Sequence, residues 1–238
     1  MKIIFFAVCC IFSAGLIAQT TVSKTYPATA GQQVVLKFDY PVVKVSTWDK
    51  NEVSVTAHVS INDGENDSAF TLNSETIGSE LVISDHIKDI DKLPRHYTIY
   101  RNGQKTIYRS KEEYRQANKT GGAERSYEGS DIDIVVEVKI PVQCITDIKA
   151  VYGIVEMINF NAPVTVDATY GGIDATITAA STGKLKATTS YGQIYTNLDL
   201  KITDHTERDF FNSITAEPGK GPSYSFTSTY GKIYLRKS

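Results

Sequence analysis

The segment Val164-Thr165-Val166-Asp167-Ala168-Thr169-Tyr170-Gly171-Gly172-Ile173-Asp174-Ala175-Thr176-Ile177 decides the fold. Before Gly171, the residues Val164, Val166, Ala168 and Tyr170 alternate with Thr165, Asp167 and Thr169. After it, Ile173, Ala175 and Ile177 alternate with Asp174 and Thr176. A period of two is the signature of a strand with one buried face. The segment therefore reads as strand, Tyr-Gly corner, strand. Leu185, Ala187, Thr189 and Tyr191 lead into Gly192 in the same phase, with Ile194, Thr196 and Leu198 beyond it. Tyr224, Phe226, Ser228 and Tyr230 lead into Gly231, with Ile233 and Leu235 beyond.

The corner motif is Tyr-Gly-x-(Ile/Val), at Tyr152-Gly153, Tyr170-Gly171, Tyr191-Gly192 and Tyr230-Gly231, with spacings of 18, 21 and 39 residues. The last gap is close to two periods. It predicts a degenerate corner at Phe211-Asn212, where Asn replaces Gly because Asn also tolerates left-handed dihedrals. A period of about 20 residues predicts stacked units, each seated on its neighbour in sequence. The expected fold is all-β: a parallel β-helix-like solenoid, two strands per turn. Its Tyr152, Tyr170, Tyr191, Phe211 and Tyr230 rings would form one column. The rival is a set of unrelated hairpins with Tyr-Gly turns; the repetition of both phase and spacing favours the stack.

Outward from this repeat, the N-terminal half carries a weaker echo. Leu36, Phe38 and Tyr40 alternate with Val35, Lys37 and Asp39, and Tyr40-Pro41-Val42-Val43 resembles a corner with Pro for Gly. Val53, Val55, Ala57, Val59 and Ile61 form a strand ending at the turn signal Asn62-Asp63-Gly64. The pattern breaks over residues 88–130, which hold ten Lys/Arg, six Asp/Glu and five of the fourteen tyrosines. This insertion reads as a polar loop or a hairpin around Asn102-Gly103. Ser110 to Glu113 is a candidate capping box for a short helix that Gly121-Gly122 would end. Val135, Val136, Val138 and Ile140 then re-enter the core.

Residues 1–18 read as a secretory leader: Lys2, then an apolar run closing on Ala18. The run is shorter than the roughly 20 apolar residues of a membrane span. Lipid attachment at Cys9 or Cys10 is the alternative, although both lie inside the run. The remainder, residues 19–238, reads as one domain whose one thiol is Cys144. A single thiol forms no intrachain disulfide, so packing and hydrogen bonds must hold the fold. A pI near 6.1 and a net charge of −2 argue against a nucleic-acid binder. No ligand-spaced Cys/His cluster points to a metal, and no motif points to a cofactor.

The segment VVKVSTWDKNEVSVTA at 42–57, IDIVVEVKIP at 132–141, the Tyr-Gly-x-Ile units and the closing TYGKIYLRK at 229–237 resemble the putative adhesin families of exported bacterial β-solenoids, the DUF4097-like group. The resemblance covers most of residues 19–238. It implies a parallel β-helix-like domain in an envelope or secreted setting, and it carries no catalytic motif. Phe211-Asn212 and the stretch 199–208 depart from the pattern.

Two surfaces are candidates for chemistry. Two residues past each Gly-x pair stand Glu156, Asp174, Tyr195, Thr215 and Tyr234, so stacking would make Glu156 and Asp174 neighbours. Two close carboxylates suit a calcium ion or a glycosidase pair, and equally a solvated face. Asp85, His86, Asp89 and Asp91 are a further, weaker cation set, and His58, His96 and His205 are scattered. The insertion is the stronger binding candidate through Tyr97, Tyr100, Arg101, Tyr108, Arg109, Tyr114 and Arg115. Interleaved Tyr and Arg suit a glycan, an acidic polymer or an envelope protein. The functional expectation is an exported, non-catalytic binding or structural module. The alternatives are a carbohydrate-active enzyme on the same scaffold and an envelope signalling or stress accessory protein.

Overall fold

The computed structural model describes residues 19–119 and 121–238; the leader expectation for residues 1–18 lies outside them. The fold is all-β: among the described residues, an eight-stranded and a nine-stranded sheet enclose a common core, with a small three-stranded sheet beside them.

Five strand–corner–strand units link the two large sheets. They are Gln33–Phe38 with Val42–Trp48, Ile145–Ala150 with Val155–Met157, Val164–Ala168 with Ile173–Ile177, Leu185–Thr189 with Ile194–Thr196, and Tyr224–Ser228 with Ile233–Lys237. Neighbouring units pair in parallel and in register. Leu36, Ile148, Val166, Phe226 and Ala187 form one inward row. Val43, Val155, Ile173, Ile233 and Ile194 form the facing one. All but Ile194 are fully or almost fully buried. The alternation read in the sequence therefore places its apolar residues inward on both sides of each corner.

The order of units is not the order of sequence. The last unit, Tyr224–Ser228 with Ile233–Lys237, lies between the Tyr170 and Tyr191 units, pairing with both. A parallel ladder needs matching strands and does not need neighbours in sequence. The chain returns through residues 217–223 to place its final unit inside the stack.

The expected corner at Phe211-Asn212 does not exist. Phe211–Ala216 is a strand, antiparallel to both Ile202–Arg208 and Leu185–Thr189. It belongs to a hairpin that closes the edge of the nine-stranded sheet beyond the Tyr191 unit. The turn falls at Asp209-Phe210, and the positive φ of 60° belongs to Phe210 and not to Asn212.

The corner glycines also serve a different purpose from the one expected. None of Gly153, Gly171, Gly192 and Gly231 has a positive φ. Each faces the carbonyl of the corner beside it. A Cβ on Gly171 would stand 1.8 Å from the Gly153 oxygen, and one on Gly231 would stand 2.0 Å from the Gly171 oxygen. Backbone hydrogen bonds hold the corners this close, with Tyr170 N–H donating to Val151 O at 2.8 Å and Tyr230 N–H to Thr169 O at 2.9 Å. The glycines are therefore required by close approach of backbones.

Near the opposite end, Glu52–Ile61 runs antiparallel to Thr20–Pro27 and Ile132–Pro141, and Phe70–Ile77 forms a hairpin with Glu80–Ile87. The insertion folds into strands His96–Arg101, Gln104–Tyr108 and Arg125–Gly129 with helix Lys111–Lys119. Its hairpin turns at Asn102-Gly103, with φ of 51° and 71°. The Ser110 Oγ accepts from Glu113 N–H at 3.3 Å at the helix start.

Candidate functional site: an aromatic ridge and the cleft at its end

Each unit turns its corner tyrosine outward, and in-register stacking brings the rings together. The order is Tyr40, Tyr152, Tyr170, Tyr230, Tyr191, Phe210. Their successive centroids are 5.2, 5.3, 5.1, 5.1 and 5.5 Å apart. The four central rings lie within 7–13° of parallel along the row. Such pairs contribute about 0.5–1.5 kcal/mol each beyond burial. Tyr152, Tyr170, Tyr230 and Tyr191 nevertheless remain 50–58% exposed. The expected column is thus present with three corrections: Tyr40 extends it, Tyr230 precedes Tyr191, and Phe210 ends the row, whereas Phe211 was expected between Tyr191 and Tyr230.

At the Phe210 end the ridge meets the closing hairpin, and the two enclose a cleft of about 390 Å³. Tyr191, Tyr230, Phe210 and Phe211 supply its aromatic walls. Phe210 is tilted 36° against Tyr191, so the rings open as a wedge, and Phe210 is 72% exposed. A bulky residue at φ 60° is a strained one, at a cost of about 1–3 kcal/mol. One ring contact only partly offsets that.

Gln193, Glu207, Arg208 and Lys232 supply the polar side of the cleft. His205 Nε2 lies 3.9 Å from Glu207 Oε2. The Tyr195 hydroxyl donates to Gln193 Oε1. Lys232 Nζ sits 5.8 Å from the Tyr195 ring centre. Among the described residues the Arg208 guanidinium has neither an ion-pair nor a hydrogen-bond partner.

The carboxylate row is assembled differently from expectation. Lys44, Glu156, Asp174, Tyr234 and Tyr195 stand in register, and Thr215 belongs to the closing hairpin instead. Glu156 and Asp174 are indeed neighbours, but each has its own cation. Lys44 Nζ lies 3.7 Å from Glu156 Oε2. Arg236 donates from Nε and Nη2 to both oxygens of Asp174, at 2.6 and 2.8 Å. Stacking brings up both cations from distant positions, so neither was visible beside the acids in the sequence. Tyr234 and Tyr195 form a shorter ring pair, 5.1 Å apart.

The insertion residues are divided. Tyr97 stacks on Tyr114 at 5.0 Å, the Tyr114 hydroxyl donates to Ser126 Oγ at 3.3 Å, and Arg101 Nη2 donates to Ala117 O at 3.0 Å. Tyr108 pairs with Tyr97, so these four residues gather where the helix meets the small sheet. Tyr100 occupies the opposite face beside Lys105 and Arg125. Arg109 pairs with Glu65, and Arg115 is exposed on the helix. Lys105 and the Tyr127 hydroxyl both donate to Asp131, and burial pushes the Tyr127 phenol up to about 12, with Asp131 adding to the effect.

Asp85 serves the fold. Its Oδ1 accepts from Asp39 N–H at 3.0 Å while Oδ2 is buried without a partner. Burial pushes its carboxyl from 3.8 up to about 6. A raised carboxyl means that the folded state holds the proton more tightly than the unfolded chain. Its contribution is therefore neutral below about pH 4, becomes a penalty that grows as pH rises from about 4 to about 6, and stays constant above that. Two pH units correspond to about 3 kcal/mol. Asp85→Asn should stabilise the protein by up to that amount at pH 7, and the advantage should vanish by pH 4. Urea midpoints of both proteins across this range check it. Among the described residues, no three His, Cys, Asp or Glu converge as metal ligands, so Asp85, His86, Asp89 and Asp91 do not form such a group. Cys144 is buried, its thiol raised by desolvation and directed at Thr29 O at 3.6 Å.

Phe210 and Arg208 were not identified from the sequence. The 20-residue phase selected the second of two adjacent phenylalanines, and an isolated Arg in a polar stretch carries no signal. The usable sign was Asp209 between two alternating runs, which marks a hairpin turn.

No protein-family model matches the chain, and no curated protein does. Among solved structures the chain is similar to a putative cell adhesion protein from Clostridium sporogenes ATCC 15579, with a TM-score of 0.50 at 9% identity, covering 92% of this chain and 100% of that one. Putative adhesins from Parabacteroides distasonis ATCC 8503 and Bacteroides fragilis NCTC 9343 match at 9% and 8% identity with TM-scores of 0.27 and 0.20. Those matches cover 92% of this chain and 98% and 97% of theirs. The likeness to the first is one of fold.

Proposed function

We propose that this chain is a non-catalytic binding module of an exported β-solenoid, adhesin-like in role, with the aromatic ridge as its binding face. The observation that carries the reading is the ridge itself: six rings in one line, the central four half-exposed along their length. Large exposed aromatic surfaces on a folded domain mark interaction sites, and Tyr dominates such sites because it brings large area with few rotors. The stacked units, paired in register, supply a rigid support. The leader at residues 1–18 and the resemblance to DUF4097-like adhesin families support an envelope or secreted setting. The partner is a surface glycan or an envelope protein, and the Tyr/Arg insertion is a second contact of the same module.

The test is retention of residues 19–238 on bacterial and host cell surfaces and on arrayed glycans. The wild type should be retained. A variant with Tyr152, Tyr170 and Tyr230 all changed to Ser should lose at least tenfold in apparent affinity, since a single hot-spot ring is worth about 2 kcal/mol. Retention unchanged in that variant, or none by the wild type on any surface, would overturn the reading.

A further inference from the structure

We infer that the cleft between the ridge and the closing hairpin receives a carboxylate-bearing sugar at the end of an acidic glycan. This rests on the binding-module reading and names the ligand class of that face. Three independent features converge at the cleft.

The first is the turn. Phe210 occupies the position of a two-residue connection where a positive φ favours Gly or Asn. A large apolar ring held there, exposed and wedged open against Tyr191, is a costly arrangement for the fold alone. Strain of this kind collects at ligand sites. The second is the set of ring walls. Tyr152, Tyr170, Tyr230 and Tyr191 each have a ring neighbour on either side, but at Phe210 the row ends against the hairpin. A saturated sugar ring can lay its C–H face on an aromatic wall there while its hydroxyls reach water and polar side chains.

The third is charge. Arg208 and Lys232 line the cleft with Glu207 as the acid among them, and the Arg208 fork is unpartnered among the described residues. A guanidinium suits a carboxylate because two parallel N–H donors meet two oxygens. A peptide carboxylate is the competing ligand, because Ile202–Arg208, which carries Glu207 and Arg208, is the outer strand of the nine-stranded sheet and offers an edge to an extended chain; polyglutamate is the probe that separates the two. The hydroxyl and amide groups of Ser190 and Gln193 on the ridge side suit a ligand rich in hydroxyls.

The experiment uses residues 19–238 with oligogalacturonate and sialyllactose as acidic probes, and lactose and polyglutamate as controls, by titration calorimetry. At least one acidic sugar should bind at least tenfold tighter than lactose. Arg208→Ala should remove that preference. Phe210→Gly should weaken every sugar at least tenfold while the melting temperature holds or rises, because the strain is relieved. Three results overturn the assignment: no preference for either acidic sugar over lactose, polyglutamate bound tighter than both, or wild-type binding by Arg208→Ala and Phe210→Gly. If surface retention through Tyr152, Tyr170 and Tyr230 survives such a result, only the cleft assignment fails. If it fails as well, the binding-module reading goes too.

Discussion

Gly171→Val should abolish cooperative folding or reduce stability by more than about 3 kcal/mol. Overpacking in a core costs about 1–3 kcal/mol when side chains can shift. Here the obstacle is backbone. The new Cβ would lie 1.8 Å from the Gly153 oxygen and 2.6 Å from its carbonyl carbon. Gly153 cannot retreat, because its own Cβ position already faces the Pro41 oxygen at 1.5 Å. Separating the corners would break the Tyr170-to-Val151 hydrogen bond and part the Tyr152 and Tyr170 rings. Even alanine should be severe, which distinguishes a steric requirement from the dihedral one that the sequence suggested. Gly129→Ala is the control: nothing lies within 4 Å of its Cβ position and its φ is not positive, so a change within about 1 kcal/mol is expected. Guanidinium denaturation of the three variants decides. Wild-type-like midpoints for both Gly171 variants would refute the close-approach account.

Deleting residues 222–238 should unfold most of the protein. In a stack built in sequence order the last unit would be an end layer, and its loss would merely shorten the stack. In this chain it is an inner layer. Phe226 and Ile233 fill the core rows between Val166 and Ala187 and between Ile173 and Ile194. Phe226, Ile233 and Leu235 are each at most 1% exposed. Burial of each such side chain is worth about 1.5–3 kcal/mol, against a total stability of about 5–15 kcal/mol. Polar ties go as well. Ser228 Oγ accepts from Gly231 N–H at 2.9 Å and donates to Gly171 O at 3.0 Å, and the Tyr224 hydroxyl donates to Phe160 O at 2.8 Å. Both sheets would lose a strand from their interior, and the Tyr191 unit with its hairpin would be cut adrift. Circular dichroism should show a large loss of β signal and no cooperative melt. A truncated chain that melts cooperatively within a few degrees of the full one would show that the final unit is peripheral.

The strands were legible because period-two alternation reports a local property: which face of each strand is buried. The register of the corners was legible too, since four copies of one motif share a phase. The reading failed at residues 199–216 for a physical reason. Alternation is the same for parallel and antiparallel strands, so a hairpin of the right length looked like one more unit of the stack. The functional surface was half visible. The sequence showed the tyrosines of the column, but the denser Tyr/Arg signal lay in the insertion, where Tyr97 and Tyr114 stack on each other between helix and sheet.

By itself the amino-acid sequence determined that this chain forms strands with one apolar face, bent at repeated glycines and carrying a tyrosine at every bend. Which unit lies beside which, which Phe ends the aromatic row, and which cations neutralise Glu156 and Asp174 were decided only in three dimensions. The reason is that lateral strand pairing, backbone contact between corners and charge pairing across units all depend on neighbours brought together from distant parts of the chain.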